Sequence, residues 1–174
     1  MHAALMSFEV DVRGKVCADL GSHVGGFVDC LLHHEASRVY SVDTSYGTLA
    51  WKLRKDPRVI VYERTNAMHV ELPESVGLVT IDLGWTPQSR VLPNVRSMLG
   101  ARGQVITLIK PHYEAPKEKL QDGVLPEEDA EHVMAEVLAW INKNGWQVKQ
   151  TCPSPIRGHG GNCEWLALLE IGKL

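Results

Sequence analysis

Short apolar runs alternate along the chain with segments whose apolar positions recur every three or four residues, the pattern of strands alternating with amphipathic helices. Val16–Leu20 reads as a first strand, and the turn Gly21-Ser22-His23-Val24-Gly25-Gly26 leads into a helix near 25–34 with Phe27, Val28, Leu31 and Leu32 on one face. Residues 38–43 read as a second strand, followed by a helix near 46–54 that stops before Pro57. A third strand is expected at 58–62 and a fourth at 76–82, then a helix near 87–99 with Pro87 in its first turn, then a fifth strand at 104–110. The polar run 111–126, with three prolines, reads as a loop over the strand ends. A helix near 127–144 stops at Gly145, a residue suited to a left-handed cap. Strands at 146–152 and 163–171 finish the chain. Their connection is too short for a crossover helix, so they are expected to be antiparallel neighbours. Residues 1–12 are mixed, with Ala3, Ala4, Leu5 and Phe8 at helix-like spacing.

This order predicts one α/β domain over 1–174: a mostly parallel seven-stranded Rossmann-like sheet with an antiparallel last strand and helices on both faces. The closing hairpin discriminates between ligands. Nicotinamide-binding domains usually finish with another parallel strand, whereas class I methyltransferases finish with an antiparallel one. The first turn also lacks G-x-G-x-x-G. The expected ligand is therefore S-adenosylmethionine rather than NAD.

Composition changes the picture in three places. No apolar run approaches membrane-spanning length and the N-terminus lacks the look of a signal peptide, so a cytoplasmic protein without a membrane partner is expected. The four cysteines form no C-x-x-C pair, which reads as reduced thiols with no clustered metal ligands. The net charge of −3 does not advertise nucleic-acid binding, so any RNA affinity must come from a local face or a partner. Oligomeric state leaves no mark on the sequence.

In an open α/β sheet, ligands gather at the carboxyl ends of the parallel strands. Asp19, Asp82 and Lys110 close three such runs, and Glu164 opens the last. Asp19 with Gly21, Gly25 and Gly26 forms a strand-turn-helix that lets backbone approach a ligand closely, or simply a tight turn. Asp43 follows at about the spacing from which an acid accepts two ribose hydroxyls, and also suits capping of the next helix. Asn66 is placed to read an adenine edge or to close a turn. Singly, Asp82, Lys110 and Glu164 each read as solvated strand-end charges; together with the cofactor turn they read as a catalytic group. His33 and His34 sit at a helix end. Trp85 suits either stacking on a target base or packing beneath the 111–126 loop. Lys52, Arg54, Lys55, Arg58 and Arg64 are scattered among acids, as on a solvated face.

Several long motifs carry a family resemblance. The stretch from Asp19 to Leu32, the run from Val39 through Asp43 to Arg54, Asp56-Pro57-Arg58-Val59, Glu63-Arg64-Thr65-Asn66-Ala67, Ile109-Lys110-Pro111-His112-Tyr113-Glu114-Ala115, Ser154-Pro155-Ile156 and Gly161-Asn162-Cys163-Glu164-Trp165-Leu166 occur in order. The chain resembles the FtsJ-like ribosomal RNA 2′-O-methyltransferases, most closely the hemolysin A or TlyA branch. The resemblance implies S-adenosyl-L-methionine as cofactor, held by Asp19, Gly21, Ser22, Gly25, Gly26, Phe27, Asp43, Asn66, Ala67 and Asp82. It implies methyl transfer to a ribose 2′-hydroxyl of RNA, ribosomal RNA or an assembled subunit, with no metal. Of that family's Lys–Asp–Lys–Glu tetrad, Asp82, Lys110 and Glu164 match the last three. The first lysine would fall before Met1, and Lys15 enters the first strand at the wrong end. The S4 domain that precedes this domain in that branch has no counterpart in the 174 residues, and Asp82-Leu83-Gly84-Trp85 departs from the serine-phenylalanine usual there. Two other readings stand beside the RNA enzyme: a methyltransferase-fold protein that binds cofactor or RNA without catalysis, and a small-molecule O-methyltransferase.

Overall fold

The apolar runs assemble into one seven-stranded sheet in a computed structural model that describes residues 1–172. Val16–Leu20 (β1), Arg38–Val42 (β2), Val59–Tyr62 (β3), Val76–Ile81 (β4) and Leu99–Ile109 (β5) run parallel. Trp165–Ile171 (β7) inserts antiparallel between β5 and Trp146–Pro153 (β6), giving the order β3-β2-β1-β4-β5-β7-β6. The inner strands carry little polar alternation because both sheet faces are covered, as parallel sheets require.

Helices occupy both faces. His2–Ser7 (α1), Gly26–His33 (α2) and Trp51–Arg54 (α3) cover one, packing Ala4, Leu5, Val28, Leu31 and Leu53 against Cys17, Val39 and Leu78. Gln88–Met98 (α4) and Glu127–Lys143 (α6) cover the other, where Val91, Leu92, Val133, Val137 and Ile141 meet Ala18, Val79 and Val105. Between them Pro111–Glu114 forms a single turn, α5. Gly145 follows α6 with φ 79, the left-handed position expected of it.

Four expectations need correction. The helix expected near 46–54 is only α3; before it, Asp43, Ser45, Thr48 and Glu63 capture local backbone and hydroxyl groups, and such bonds compete with a helix. Strand β5 starts earlier than expected and stops at Ile109, leaving Lys110 as the N-cap of α5. Strand β7 begins at Trp165, so Glu164 stands just before it. The 111–126 run does not roof the strand ends. After α5 it takes a 3-10 turn at Lys117–Lys119, and Leu125 N donates to Asn162 Oδ1 at 2.9 Å, folding the segment towards the β6–β7 connection. No helix among the described residues is long and apolar enough to cross a membrane.

Candidate active site

The strand order reverses between β1 and β4, which opens a crevice beyond their carboxyl ends. Asp19 lies at its floor, 1% exposed. Its Oδ1 accepts from Thr80 Oγ1 at 2.6 Å, while Oδ2 is buried with no hydrogen-bond partner. Burial pushes the carboxyl up to about 7; the Thr80 bond opposes that rise, and the charges of Asp82 and Asp43 add to it. A buried acceptor without a partner is costly. This one is satisfied if a cationic or N–H-bearing ligand enters.

The turn after β1 is shaped by one close approach. Gly21 has φ 88, and a Cβ there would come within 2.2 Å of the Asp82 carbonyl oxygen. The backbone N–H groups of Gly21 and Ser22 both donate to Val42 O, and Ser41 Oγ donates to Ser22 Oγ, so β1 and β2 hold the turn rigid. Gly25 has a different task. A Cβ there would meet Leu53 at 2.2 Å, so this glycine seats the start of α2 against residues 49–53 and lines neither cleft described below.

Asp43 stands just past β2. Its Oδ2 accepts from His23 N at 2.8 Å, and its Oδ1 from Ser45 N at 2.7 Å and Ser45 Oγ at 2.6 Å. Burial works against the charge, but these donors outweigh it and hold the carboxyl below the usual range. Asn66 closes an Asx turn through Met68 N at 2.9 Å, leaving its NH₂ without a hydrogen bond among the described residues.

Two adjoining clefts share Gly21, His23 and Asp82. The larger, about 540 Å³, is lined by Asp43, Asn66, Ala67, Asp82 and Lys110; the smaller, about 180 Å³, by Asp19, Ser22, Gly26 and Phe27. No residue of 111–126 lines the larger one. There Lys110 Nζ lies 2.6 Å from Asp82 Oδ1. Glu164 lines neither cleft but belongs to the same field: burial pushes its carboxyl up, with Lys110 opposing and Asp82 adding to the rise. Gly158 packs so tightly on Glu164 that a Cβ would fall within 2.2 Å of Oε1. The three side chains expected to act together thus come from three adjacent strand ends.

Sequence reasoning missed Thr80, His23 and His112. A threonine inside the buried run of β4 was the available signal for the first, since a polar group there needs a partner. His23 acts through its backbone, and His112 is buried only because α5 exists. Of the basic set, Lys52 pairs with Asp29, Arg54 with Glu63 and Arg58 with Asp56, while Lys55 and Arg64 lie over the rings of Trp51 and Tyr46. Spacing brings no metal ligands together, but folding does. His2, Cys30 and His34 offer ligand atoms within 4.8 Å of one another, a donor set of the kind zinc takes. The two imidazoles also satisfy each other without an ion, at 3.1 Å.

Residues 1–170 match the family described as FtsJ-like methyltransferase. The chain belongs to that family. It is 36% identical over 96% of its length to the 16S/23S rRNA (cytidine-2′-O)-methyltransferase TlyA of Mycobacterium tuberculosis, and spans 64% of that relative, under two thirds of its length. A solved chain from Streptococcus thermophilus, described as a candidate hemolysin, superposes with a TM-score of 0.94 at 35% identity, covering 98% of this chain and 64% of that one. An S-adenosylmethionine dependent methyltransferase from Mesorhizobium loti shares the fold alone, with a TM-score of 0.68 at 16% identity over 96% of this chain and 95% of that one. Membership in the FtsJ-like family agrees with the strand order, the antiparallel β7 and the crevice at the β1–β4 switch.

Proposed function

We propose that the protein binds S-adenosylmethionine in the paired clefts and transfers its methyl group to a ribose 2′-hydroxyl of RNA, ribosomal RNA being the substrate named for the mycobacterial relative. The residues fit the cofactor. The unpartnered Oδ2 of Asp19 suits an ammonium group, and the lone pair that Asp43 keeps free on Oδ2 suits a ribose hydroxyl. The NH₂ of Asn66 suits an adenine nitrogen, and a cleft of about 540 Å³ is ample for a nucleoside. Asp19, Asp43 and Asp82 make the cleft acidic, which favours a ligand carrying positive charge. When bound, the cofactor supplies an electrophilic methyl carbon on a sulfonium.

The observation that carries the catalytic reading is the Lys110–Asp82 pair at the cleft mouth, 2.6 Å apart. An alcohol is a weak nucleophile at neutral pH because it holds its proton. Lys110, paired with the Asp82 carboxylate, donates a hydrogen bond to the alkoxide as it forms, and the hydroxyl proton is released to water. Asp82 orients Lys110, and Glu164 adds negative field behind it. Gly21 lets the turn after β1 lie directly against Asp82, so a methyl donor bound in that turn would sit beside the Lys110–Asp82 pair rather than meet the acceptor by diffusion. A cleft that the 111–126 run does not line fits a polymer better than a small alcohol, whose enzyme would need a closed roof.

The test is transfer of labelled methyl from S-adenosylmethionine to ribosomal RNA and to assembled ribosomal subunits. The product should be a nucleotide whose 3′ phosphodiester resists alkaline hydrolysis. Cofactor binding without transfer to any of these substrates would overturn the enzyme reading.

A further inference from the structure

Cys30 lies in α2 and His34, four residues on, is its C-cap, so the helical turn sets thiol and imidazole on one face. His2, the first residue of α1, brings a second imidazole onto that pair. The two rings lie 5.3 Å apart between centroids, tilted by 31°, and Nδ1 of His2 faces Nε2 of His34 at 3.1 Å. One ligand atom from each of the three residues, Cys30 Sγ included, falls within 4.8 Å of the other two. A hydrogen bond between the rings accounts for two of these groups and gives no role to the thiol beside them. Helix α1 also needs an anchor. It has six residues, too few to hold a helix alone, no side-chain bond at its N-cap, and only Ala4 and Leu5 buried.

We propose that His2, Cys30 and His34 bind a zinc ion that clasps α1 to the end of α2, with water as the fourth ligand. Imidazole nitrogen and thiolate sulfur are zinc ligands, whereas calcium and magnesium take oxygen, so the donor set selects against the hard cations. Around tetrahedral zinc two imidazole nitrogens stand about 3.3 Å apart and a sulfur about 3.6 Å from each. The rings already stand near that spacing, and side-chain rotation brings in the thiol. Cys30 binds as the thiolate, its proton passing to solvent, and a lone pair from each imidazole takes the ion in place of their mutual hydrogen bond. None of the three residues lines either cofactor cleft, so the ion polarises no substrate of methyl transfer. It fixes the far end of the helix whose start follows the cofactor turn.

The experiment titrates chelator-treated protein with cobalt(II) and then with zinc. Cobalt reports its own ligands by absorption, through a thiolate-to-cobalt charge-transfer band and through d–d bands whose intensity marks four-coordination. One cobalt per chain should give both, and zinc should displace it with a Kd of about 1 μM or tighter. Cys30→Ser should lose the charge-transfer band, and His2→Ala and His34→Ala should each weaken zinc about 100-fold. His33→Ala removes a neighbouring exposed imidazole outside the cluster and should leave the Kd unchanged. Zinc should also slow amide hydrogen exchange in α1 of the wild type, and not in His2→Ala, whose altered side chain is exposed. Absence of the charge-transfer band, equal zinc affinity in wild type and His2→Ala, or a loss in His33→Ala as large as in His34→Ala would each overturn the site. Zinc binding that leaves exchange in α1 untouched would overturn the clasp. None of these readouts depends on methyl transfer.

Discussion

Lys110 Nζ and Asp82 Oδ1 meet at 2.6 Å although their strands are joined only through a helix, because β4 and β5 are parallel neighbours and both residues stand just past the carboxyl end. Replacing Lys110 with Ala removes the donor proposed for the developing alkoxide and leaves the acidic cleft intact. Methyl transfer should fall by a factor of about 100 or more, while cofactor affinity changes little. Calorimetry with S-adenosylmethionine, run beside the transfer assay, separates the two. A large loss of cofactor affinity would move Lys110 into the binding set.

Asp19 should make cofactor binding depend on pH. Its folded-state value of about 7 lies above its ordinary 3.8. Below about 3.8 the folded and unfolded chains both keep the proton, and the group has no effect on stability. Between 3.8 and 7 the unfolded chain releases a proton that the folded one holds, so stability falls as pH rises and the full cost stands above 7. A cationic ligand group needs the carboxylate form. Affinity should therefore drop roughly tenfold per pH unit below about 7 and level off above it, with proton release on binding. Asp19→Asn should raise the melting temperature of the ligand-free protein at pH 8 and weaken cofactor binding about tenfold or more. Affinity independent of pH from 5 to 8, with no proton release in buffers of different ionisation enthalpy, would remove Asp19 from the ligand.

The strand ends were legible because parallel strands covered on both faces read as apolar runs, and a charge that closes such a run is conspicuous. Asp19, Asp82 and Lys110 are such charges. The segment 46–54 misled because Tyr46, Leu49, Ala50 and Leu53 have helical spacing. The winning interactions, Ser45 with Asp43 and Gly47 N with Glu63, are side-chain bonds that periodicity does not encode. The 111–126 run holds only short helical turns, and its direction depends on Asn162, 37 residues beyond Leu125. The same distance problem hid the gathering of His2, Cys30 and His34.

Gly21→Ala should damage fold and function together. The added Cβ would fall 2.2 Å from the Asp82 carbonyl oxygen, and φ 88 is a strained conformation for any side chain. Backbone cannot yield as a flexible side chain can, so a loss of about 2 kcal/mol or more is expected, with displacement of Asp82 from Lys110. Gly47→Ala is the control. Its φ is 73 but nothing lies within 4 Å of the new Cβ, so only the conformational cost of about 1 kcal/mol applies. Chemical denaturation and cofactor titration of the two variants should therefore diverge. Equal, mild effects would mean that the β1–β4 approach is not a constraint on the site.

Asp43 distinguishes cofactor binding from turn capping, because its carboxylate has partners of both kinds. It accepts from His23 N, Ser45 N and Ser45 Oγ, yet it lines the cleft. If its remaining lone pair, on Oδ2, holds a ribose hydroxyl, Asp43→Asn should raise the cofactor Kd by about tenfold or more, while kcat at saturating cofactor is largely kept. Ser45→Ala removes one bond to the carboxylate but no ligand acceptor, and should leave the Kd near wild type. A carboxyl held below the usual range stays ionised through neutral pH. The pH dependence expected from Asp19 should consequently survive in Asp43→Asn, shifted to weaker affinity at every pH. Matching Kd values for Asp43→Asn and Ser45→Ala, with matching losses in melting temperature, would make Asp43 a cap and leave the ribose to other groups.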